Sequence, residues 1–246
     1  MRRSPSQRLT RRSAIGLLAA TAAAPAMAQA PIRVLFIGNS FTFEHDLPLL
    51  FADIARQGGY NLHVDVMAEG GAHLADYLQT RTADQIVATY NPDLLILQDF
   101  STVALVPDFA ANSLRALTAF CRHLMPRKIL FETWPRREDH KLYLQAGMPR
   151  TPAQMHNLVH AHYQSARCPA LYERLGQAVA PVGRAWMLGT GLPLHRNDGY
   201  HASLTGAWLA ALVLARTARL APEAPTAPKG VRYPSRLIQI ARTIVP

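Results

Sequence analysis

The sequence predicts an α/β protein, a three-layer α/β/α sandwich around a central, mostly parallel five-stranded sheet. Three observations predict it. Short apolar runs with little polar alternation recur along the chain, stretches with helical spacing separate them, and polar or glycine-rich turns follow most of the runs. Apolar strands of this kind are buried on both faces, and strands that alternate with helices build parallel sheets covered on both sides.

The first strand is Ile32-Arg33-Val34-Leu35-Phe36-Ile37, ending in Gly38. Leu47 to Gln57 has helical spacing, with Asp46 placed to cap it and Gly58-Gly59 to stop it. Leu62-His63-Val64-Asp65-Val66 alternates as a second strand, which completes a βαβ unit. His73 to Thr89 reads as helical, and Pro92-Asp93 leads into the third strand, Leu94-Leu95-Ile96-Leu97. Phe109 to Leu124 is helical, and Lys128-Ile129-Leu130-Phe131-Glu132 is a fourth strand. The segment from Pro135 to Pro152 is basic and lacks a period, so it is either a loop over the pocket or a solvated insertion. Thr151-Pro152-Ala153-Gln154 has the form of a capping box opening a helix to about Ala166. Ala178-Val179-Ala180-Pro181 is a weaker fifth strand, and Leu204 to Leu220 is a final amphipathic helix whose Gly206, Ala207, Ala210 and Ala211 permit close packing on a sheet.

The chain divides into an export signal at 1–28 (to 30) and a single domain at 31–246. Residues 1 to 12 carry five Arg and no acid, residues 14 to 24 are an Ala/Leu-rich run, and Ala26-Met27-Ala28 is a small-x-small cleavage site. The Arg11-Arg12 pair resembles a twin-arginine signal, with Ala14 where the usual Phe stands. A Sec signal is the alternative. The apolar run is shorter than the roughly 20 residues a bilayer span needs, so no stable membrane anchor is expected after cleavage. The expected location is periplasmic or secreted.

Five of the ten net positive charges belong to that signal, leaving about +5 on the remainder, scattered and without the aromatic interleaving of a nucleic-acid surface. No nucleic-acid partner is expected. Cys121 and Cys168 are the two cysteines, which excludes a disulfide scaffold and leaves their pairing open.

In a parallel sheet the residues just past the strands gather at one edge, where ligands bind. Here they are Gly38-Asn39-Ser40-Phe41-Thr42, Glu69-Gly70-Gly71, Gln98-Asp99 and Thr133-Trp134. A serine on a tight strand-to-helix turn is exposed beside helix N-terminal amides, and Gly38 is read as giving that turn its freedom. A serine hydroxyl needs a base, and the base needs a group that fixes its tautomer. Asp198-Gly199-Tyr200-His201 supplies both: the carboxylate can curl back to Nδ1 and leave Nε2 for Ser40. Taken singly, Ser40 reads as a helix cap, His201 as a buried or capping histidine and Asp198 as an Asx-turn residue. Together they make a triad. His156 and His160 lie four apart on a helix, yet no third ligand with convincing spacing follows, so no metal is assigned. Trp134 reads equally as core or as pocket wall.

Gly-Asn-Ser-Phe-Thr after the first strand, the glycine pair after the second and Asp-x-x-His before the last helix resemble the SGNH/GDSL hydrolase superfamily. The likeness is closest to a branch whose first block reads Ile-Gly-Asn-Ser-Phe-Thr and whose third reads Leu-Gln, and it runs from Val34 to Val213. The resemblance implies a flavodoxin-like sandwich with Ser40 as nucleophile and Asp198 and His201 completing the triad. It also implies an oxyanion hole of the Ser40 amide, the Gly71 amide (or that of Gly70) and a third-block side chain. The superfamily's Gly-x-Asn-Asp third block is missing, and Leu97-Gln98-Asp99-Phe100-Ser101 stands there, so Gln98 is assigned the role of the absent Asn, with Ser101 as alternative. Asn39 and Trp134 are the candidate substrate contacts.

The expected activity is ester hydrolysis through an acyl-enzyme, without metal or cofactor, on a small-molecule or saccharide ester such as an O-acetyl group. Lipase, thioesterase or aryl-esterase action on the same triad is the alternative. A mononucleotide-binding or saccharide-binding module is a further one, since Ser40 and Thr42 after a first strand also suit a phosphate.

Overall fold

The computed structural model describes residues 30–122, 126–166 and 178–246. Residues 1–29, which hold the expected export signal, and Cys168 lie outside the described residues. Five strands, β1 (Ile32–Gly38), β2 (Leu62–Ala68), β3 (Leu94–Leu97), β4 (Arg127–Phe131) and β5 (Ala178–Ala180), form one sheet in the order β2-β1-β3-β4-β5. Every pairing is parallel, so the sheet is wholly rather than mostly so. The described helices are α1 (Ser40–Phe43), α2 (Leu47–Gln57), α3 (Ala83–Tyr90), α4 (Pro107–Cys121), α5 (Pro152–Ser165), α6 (Val182–Leu188), α7 (Leu204–Ala218) and α8 (Pro234–Ile244).

The period of two along the strands separates two cores. Val34 and Phe36 of β1, with Leu94, Ile96, Ile129 and Phe131, face α2, α6, α7 and α8. Leu35 and Ile37, with Leu95, Leu97 and Leu130, face α3, α4 and α5. That is why the strand runs are apolar without alternation. The chain leaves β1 for β2 on one side and returns to β3 on the other, so the reversal in strand order lies between β1 and β3. Ligand crevices of parallel sheets open there. In register, Ile37 lies beside Leu97, which brings the turn after β1 level with Gln98.

Several elements depart from the sequence expectation. The stretch His73 to Thr89 is not one helix: a single 3-10 turn at Asp76–Leu78 is followed by α3, started by Thr82. Thr82 accepts from the Gln85 amide while the Gln85 side chain accepts from the Thr82 amide, a full capping box. At α5 the Thr151 hydroxyl caps Gln154, but the Gln154 side chain accepts from Arg150 instead of Thr151. Asp46 precedes α2 in a left-handed conformation, and its carboxylate makes no cap. Helices α6 and α8 were not anticipated, although Leu237, Ile240 and Ala241 give α8 a buried stripe at helical spacing.

Helix α7 is buried almost all round, packed between the sheet and α2, α6 and α8. Gly206 in its first turn is required by space. A Cβ there would stand 2.2 Å from the Leu194 carbonyl oxygen and 2.7 Å from the Trp186 ring. Gly206→Ala gains about 1 kcal/mol of helix propensity but overpacks a rigid contact at about 1–3 kcal/mol, so the clash decides. The expected result is a lower urea midpoint for Gly206→Ala; an unchanged or higher midpoint would contradict this packing.

Candidate active site

The turn after β1 is held from three sides. The Asn39 carboxamide oxygen caps α1 by accepting from the Phe41 amide at 3.1 Å, and its Nδ2 donates to the Ala72 carbonyl at 2.9 Å. The Asn39 amide donates to Gln98 Oε1 at 2.9 Å, and Thr42 Oγ1 donates to the same oxygen at 2.8 Å. Ser40 is thereby fixed as the first residue of α1, where its amide has no carbonyl one turn earlier to bond. Gly38 is needed here, but not for backbone freedom, since it is not among the glycines with left-handed φ. A Cβ at Gly38 would stand 2.2 Å from Thr42 Oγ1 and 2.5 Å from Gln98 Oε1. The glycine makes room for the tie.

The other half of the site is the loop before α7. Arg196 N donates to the His201 carbonyl at 2.9 Å and Ser203 N to Leu194 O at 2.8 Å, closing Arg196 to His201 into a tight excursion. Gly199 turns it with φ +75°. Asp198 Oδ1 accepts from the amides of Tyr200 (2.9 Å) and His201 (3.0 Å), and Oδ2 stands 2.9 Å from His201 Nδ1. Burial opposes the Asp198 charge, but the Tyr200 amide, the His201 imidazole and the His201 amide outweigh it and hold its pKa below the ordinary value. The remaining imidazole nitrogen, Nε2, lies 2.9 Å from Ser40 Oγ.

The segment from Pro135 to Pro152 is neither a simple lid nor a solvated insertion. Arg137 clamps the loop: its amide donates to Gly199 O at 2.7 Å, and its guanidinium donates to Arg196 O at 3.1 Å and Asn197 O at 3.3 Å. His195 Nε2 donates to Pro135 O at 2.9 Å. Arg136 is buried, with its guanidinium carbon 4.7 Å from the Tyr200 ring centroid and 5.5 Å from that of Phe41. Burial pushes its pKa down to about 10, so it remains cationic at neutral pH. Trp134 belongs to the core half of its two readings. It is fully buried, stacked on Trp186 at 4.2 Å and Phe41 at 4.5 Å, and its Nε1 donates to Tyr200 O at 2.9 Å. A fully buried ring has no surface for a substrate, so Trp134 supports the loop from below.

Gln98 is also a correction. A backbone N–H can only donate, so the atom facing Asn39 N is the Gln98 carbonyl oxygen, and its Nε2 is committed to the Asp99 carbonyl. It offers the nucleophile turn an acceptor and has no free donor for an oxyanion. The alternative, Ser101, is buried with its Oγ lacking a hydrogen-bond partner among the described residues. Asn39, proposed as a substrate contact, is 1% exposed and occupied with capping and bridging. The Gly70-Gly71 turn has the Glu69 carbonyl accepting from Ala72 N at 3.2 Å and Gly71 at φ +80°, as a type II turn requires. It is bound to the nucleophile turn through Asn39 Nδ2 and through the Tyr77 hydroxyl, which donates to Gly38 O and accepts from Glu69 N.

Two further features complete the surroundings. A groove of about 580 Å³ runs along the far side of the catalytic loop, lined among others by Arg136, Arg137, His195 and Arg232, and Ser40 and His201 are not in its lining. At the end of β4, Glu132 meets His156 and His160 of α5 in a group able to hold a metal ion. Burial raises the Glu132 pKa and lowers that of His156 to about 4. His162, by contrast, is a core histidine bonded to Ser113 Oγ at 2.9 Å.

No protein-family model and no curated protein matches the chain. Solved structures do. A Slackia heliotrinireducens protein assigned to the SGNH hydrolases is similar at TM-score 0.63 and 26% identity, over 76% of this chain and 99% of that one. A DUF4886 family protein from Bacteroides uniformis is similar at TM-score 0.63 and 19% identity, covering 87% and 94%. The lipase/acylhydrolase from Enterococcus faecalis is similar at TM-score 0.57 and 18% identity, covering 76% and 96%. The fold is that of the SGNH/GDSL hydrolase superfamily.

Two measurements follow. Gln98→Leu strands the buried Asn39 amide and Thr42 hydroxyl, each at about 1–3 kcal/mol, so its thermal midpoint should fall well below the parent's. A stable variant that had lost only reactivity would restore Gln98 as an oxyanion donor. For Asp198, a folded pKa held below the unfolded value means its stabilisation is present above the ordinary carboxylate range and lost as pH falls through the folded pKa. The difference in midpoint between the parent and Asp198→Asn should therefore shrink on acidification. A gap independent of pH would contradict the hydrogen-bonded carboxylate.

Proposed function

We propose that this chain is an exported serine esterase that hydrolyses carboxylic esters through an acyl-enzyme. One observation carries the reading: Ser40 Oγ, His201 and Asp198 form an unbroken series of contacts, 2.9 Å at each end of the imidazole. In the resting enzyme the imidazole carries its proton on Nδ1, toward the carboxylate, and Nε2 accepts from the serine hydroxyl. Attack of Oγ on the ester carbonyl carbon passes that proton to Nε2. The tetrahedral oxyanion is received by the Ser40 and Gly71 amides. Collapse expels the alcohol, which takes the proton from Nε2, and a water activated by the same base then cleaves the acyl-serine to acid and free enzyme. Neither a metal nor a cofactor has a part in these steps.

With Gln98 turned away, the oxyanion rests on two backbone amides, and the loss of one such donor typically costs about a hundredfold or more in rate. This favours activated or small acyl groups, in keeping with an acetyl ester on a saccharide. Among the described residues no helix is long and apolar enough to cross a membrane. The lipase and thioesterase reading keeps the same triad and differs in acyl length. A binding module without turnover leaves the aligned serine, imidazole and carboxylate without a role.

Fluorophosphonate labelling tests the assignment. The parent should label, Ser40→Ala should not, and His201→Ala should label slower by on the order of a thousandfold. Equal labelling of Ser40→Ala and parent would remove Ser40 as nucleophile.

A further inference from the structure

We propose that Glu132, His156 and His160 form a binding site for a divalent transition-metal ion of the zinc type, separate from the serine, histidine and aspartate above. Sequence spacing hid it. The two histidines lie one turn apart on α5, but the third group comes from the end of β4, before them in the chain. One ligand atom from each residue, a carboxylate oxygen and two imidazole nitrogens, lies within 4.8 Å of the others.

The donors have the character a metal site requires. Glu132 is fully buried, and its Oε2 lies 2.7 Å from His160 Nδ1 while its Oε1 lies 3.8 Å from His156 Nδ1. His156 Nδ1 is buried and makes no hydrogen bond among the described residues, and it stands 3.8 Å from Glu132 Oε1, too far for one. Such atoms are uncommon in native interiors. The gap is maintained by Gly183, where a Cβ would stand 2.9 Å from Glu132 Oε1 and 3.0 Å from His156 Nδ1. The Arg184 amide donates to Oε1 at 3.3 Å and fixes the carboxylate's orientation.

Two imidazoles and one carboxylate suit zinc and its neighbours, and leave an open coordination position. In tetrahedral coordination at about 2.1 Å the ligand atoms stand about 3.4 Å apart, so a pair as wide as 4.8 Å closes by about 1.4 Å, shared between two side chains, while the His160–Glu132 pair opens. On binding, His160 carries its proton on Nε2 and turns Nδ1 to the ion, which takes the place of the hydrogen between Nδ1 and Oε2. His160, 41% exposed at its side chain, provides the access route. Among the described residues, Arg184 acts on both Glu132 and His156; it is exposed, and its charge weakens the affinity. Trp134, two residues beyond Glu132, donates to the Tyr200 carbonyl. An ion here would stiffen the support of the catalytic loop without touching the substrate.

The test uses the purified untagged chain, freed of metal by chelation, and reads binding, not hydrolysis. Titrated with Zn²⁺ in a calorimeter, the parent should take up one equivalent, and Co²⁺ should give visible d–d absorption. Replacing Glu132 risks the fold, so the deciding variants are His160→Ala and His156→Ala, with near-UV circular dichroism to verify folding. Each should lose affinity by at least about tenfold and lose the cobalt bands. No saturable zinc uptake by the parent would overturn the proposal. So would equal uptake by the parent and both folded histidine variants.

Discussion

The hydrogen-bonding contact between Ser40 Oγ and His201 Nε2 spans 161 positions of sequence at 2.9 Å, and the rest of the structure can be understood as what holds that distance. Neither residue is positioned by its own neighbours alone. Ser40 is set by a one-turn helix pinned to the end of β3, whereas His201 is set by a loop pinned to the segment after β4. Those two pins sit on strands of one rigid parallel sheet, so the sheet is the ruler between nucleophile and base.

Both pins are polar; the one at Gln98 is buried, and the one at Arg137 is partly exposed but carries several bonds. Gln98 Oε1 receives two hydrogen bonds from the nucleophile turn, and Gly38 has no side chain to push them apart. On the other side, Arg137 holds three carbonyls of the catalytic loop and Trp134 holds a fourth. The faces of Phe41 and Tyr200 attract the Arg136 guanidinium by about 2 kcal/mol or more where it is desolvated, which offsets part of the cost of burying it, since its Nε and Nη1 lack hydrogen-bond partners among the described residues. Since Tyr200 is the residue before His201, this stack presses on the base from below. The basic segment after β4 is thus a strut for the catalytic loop.

Much of this was legible in the sequence where local rules suffice. Unbroken apolar runs gave β1, β3 and β4, where residues are buried on both faces, alternation gave the half-exposed edge strand β2, and Asp198-x-x-His201 marked a carboxylate able to reach Nδ1 within one loop. What stayed hidden depends on orientation and distance. Gln98 has an amide of suitable chemistry at a suitable place, but which end of it faces the nucleophile is decided by the Asn39 N–H. Gly38 was read as a hinge and is a spacer. Trp134 was read as core or pocket wall, and the stack of Phe41 and Trp186 on its faces makes it core. The third partner of His156 and His160 lies before them in the chain, where a search for a following ligand does not look. Helix α8 lacks a side-chain cap that would mark its start, although Leu237, Ile240 and Ala241 carry its period.

The central claim is that Ser40 becomes covalently acylated. Rapid acid quench of the parent with an activated acetyl ester, followed by peptide mapping in a mass spectrometer, tests it most directly. One acetyl group per chain should appear in an initial burst, carried on the peptide containing Ser40. Turnover without any acyl-enzyme, or an acetyl group on another residue, would contradict it.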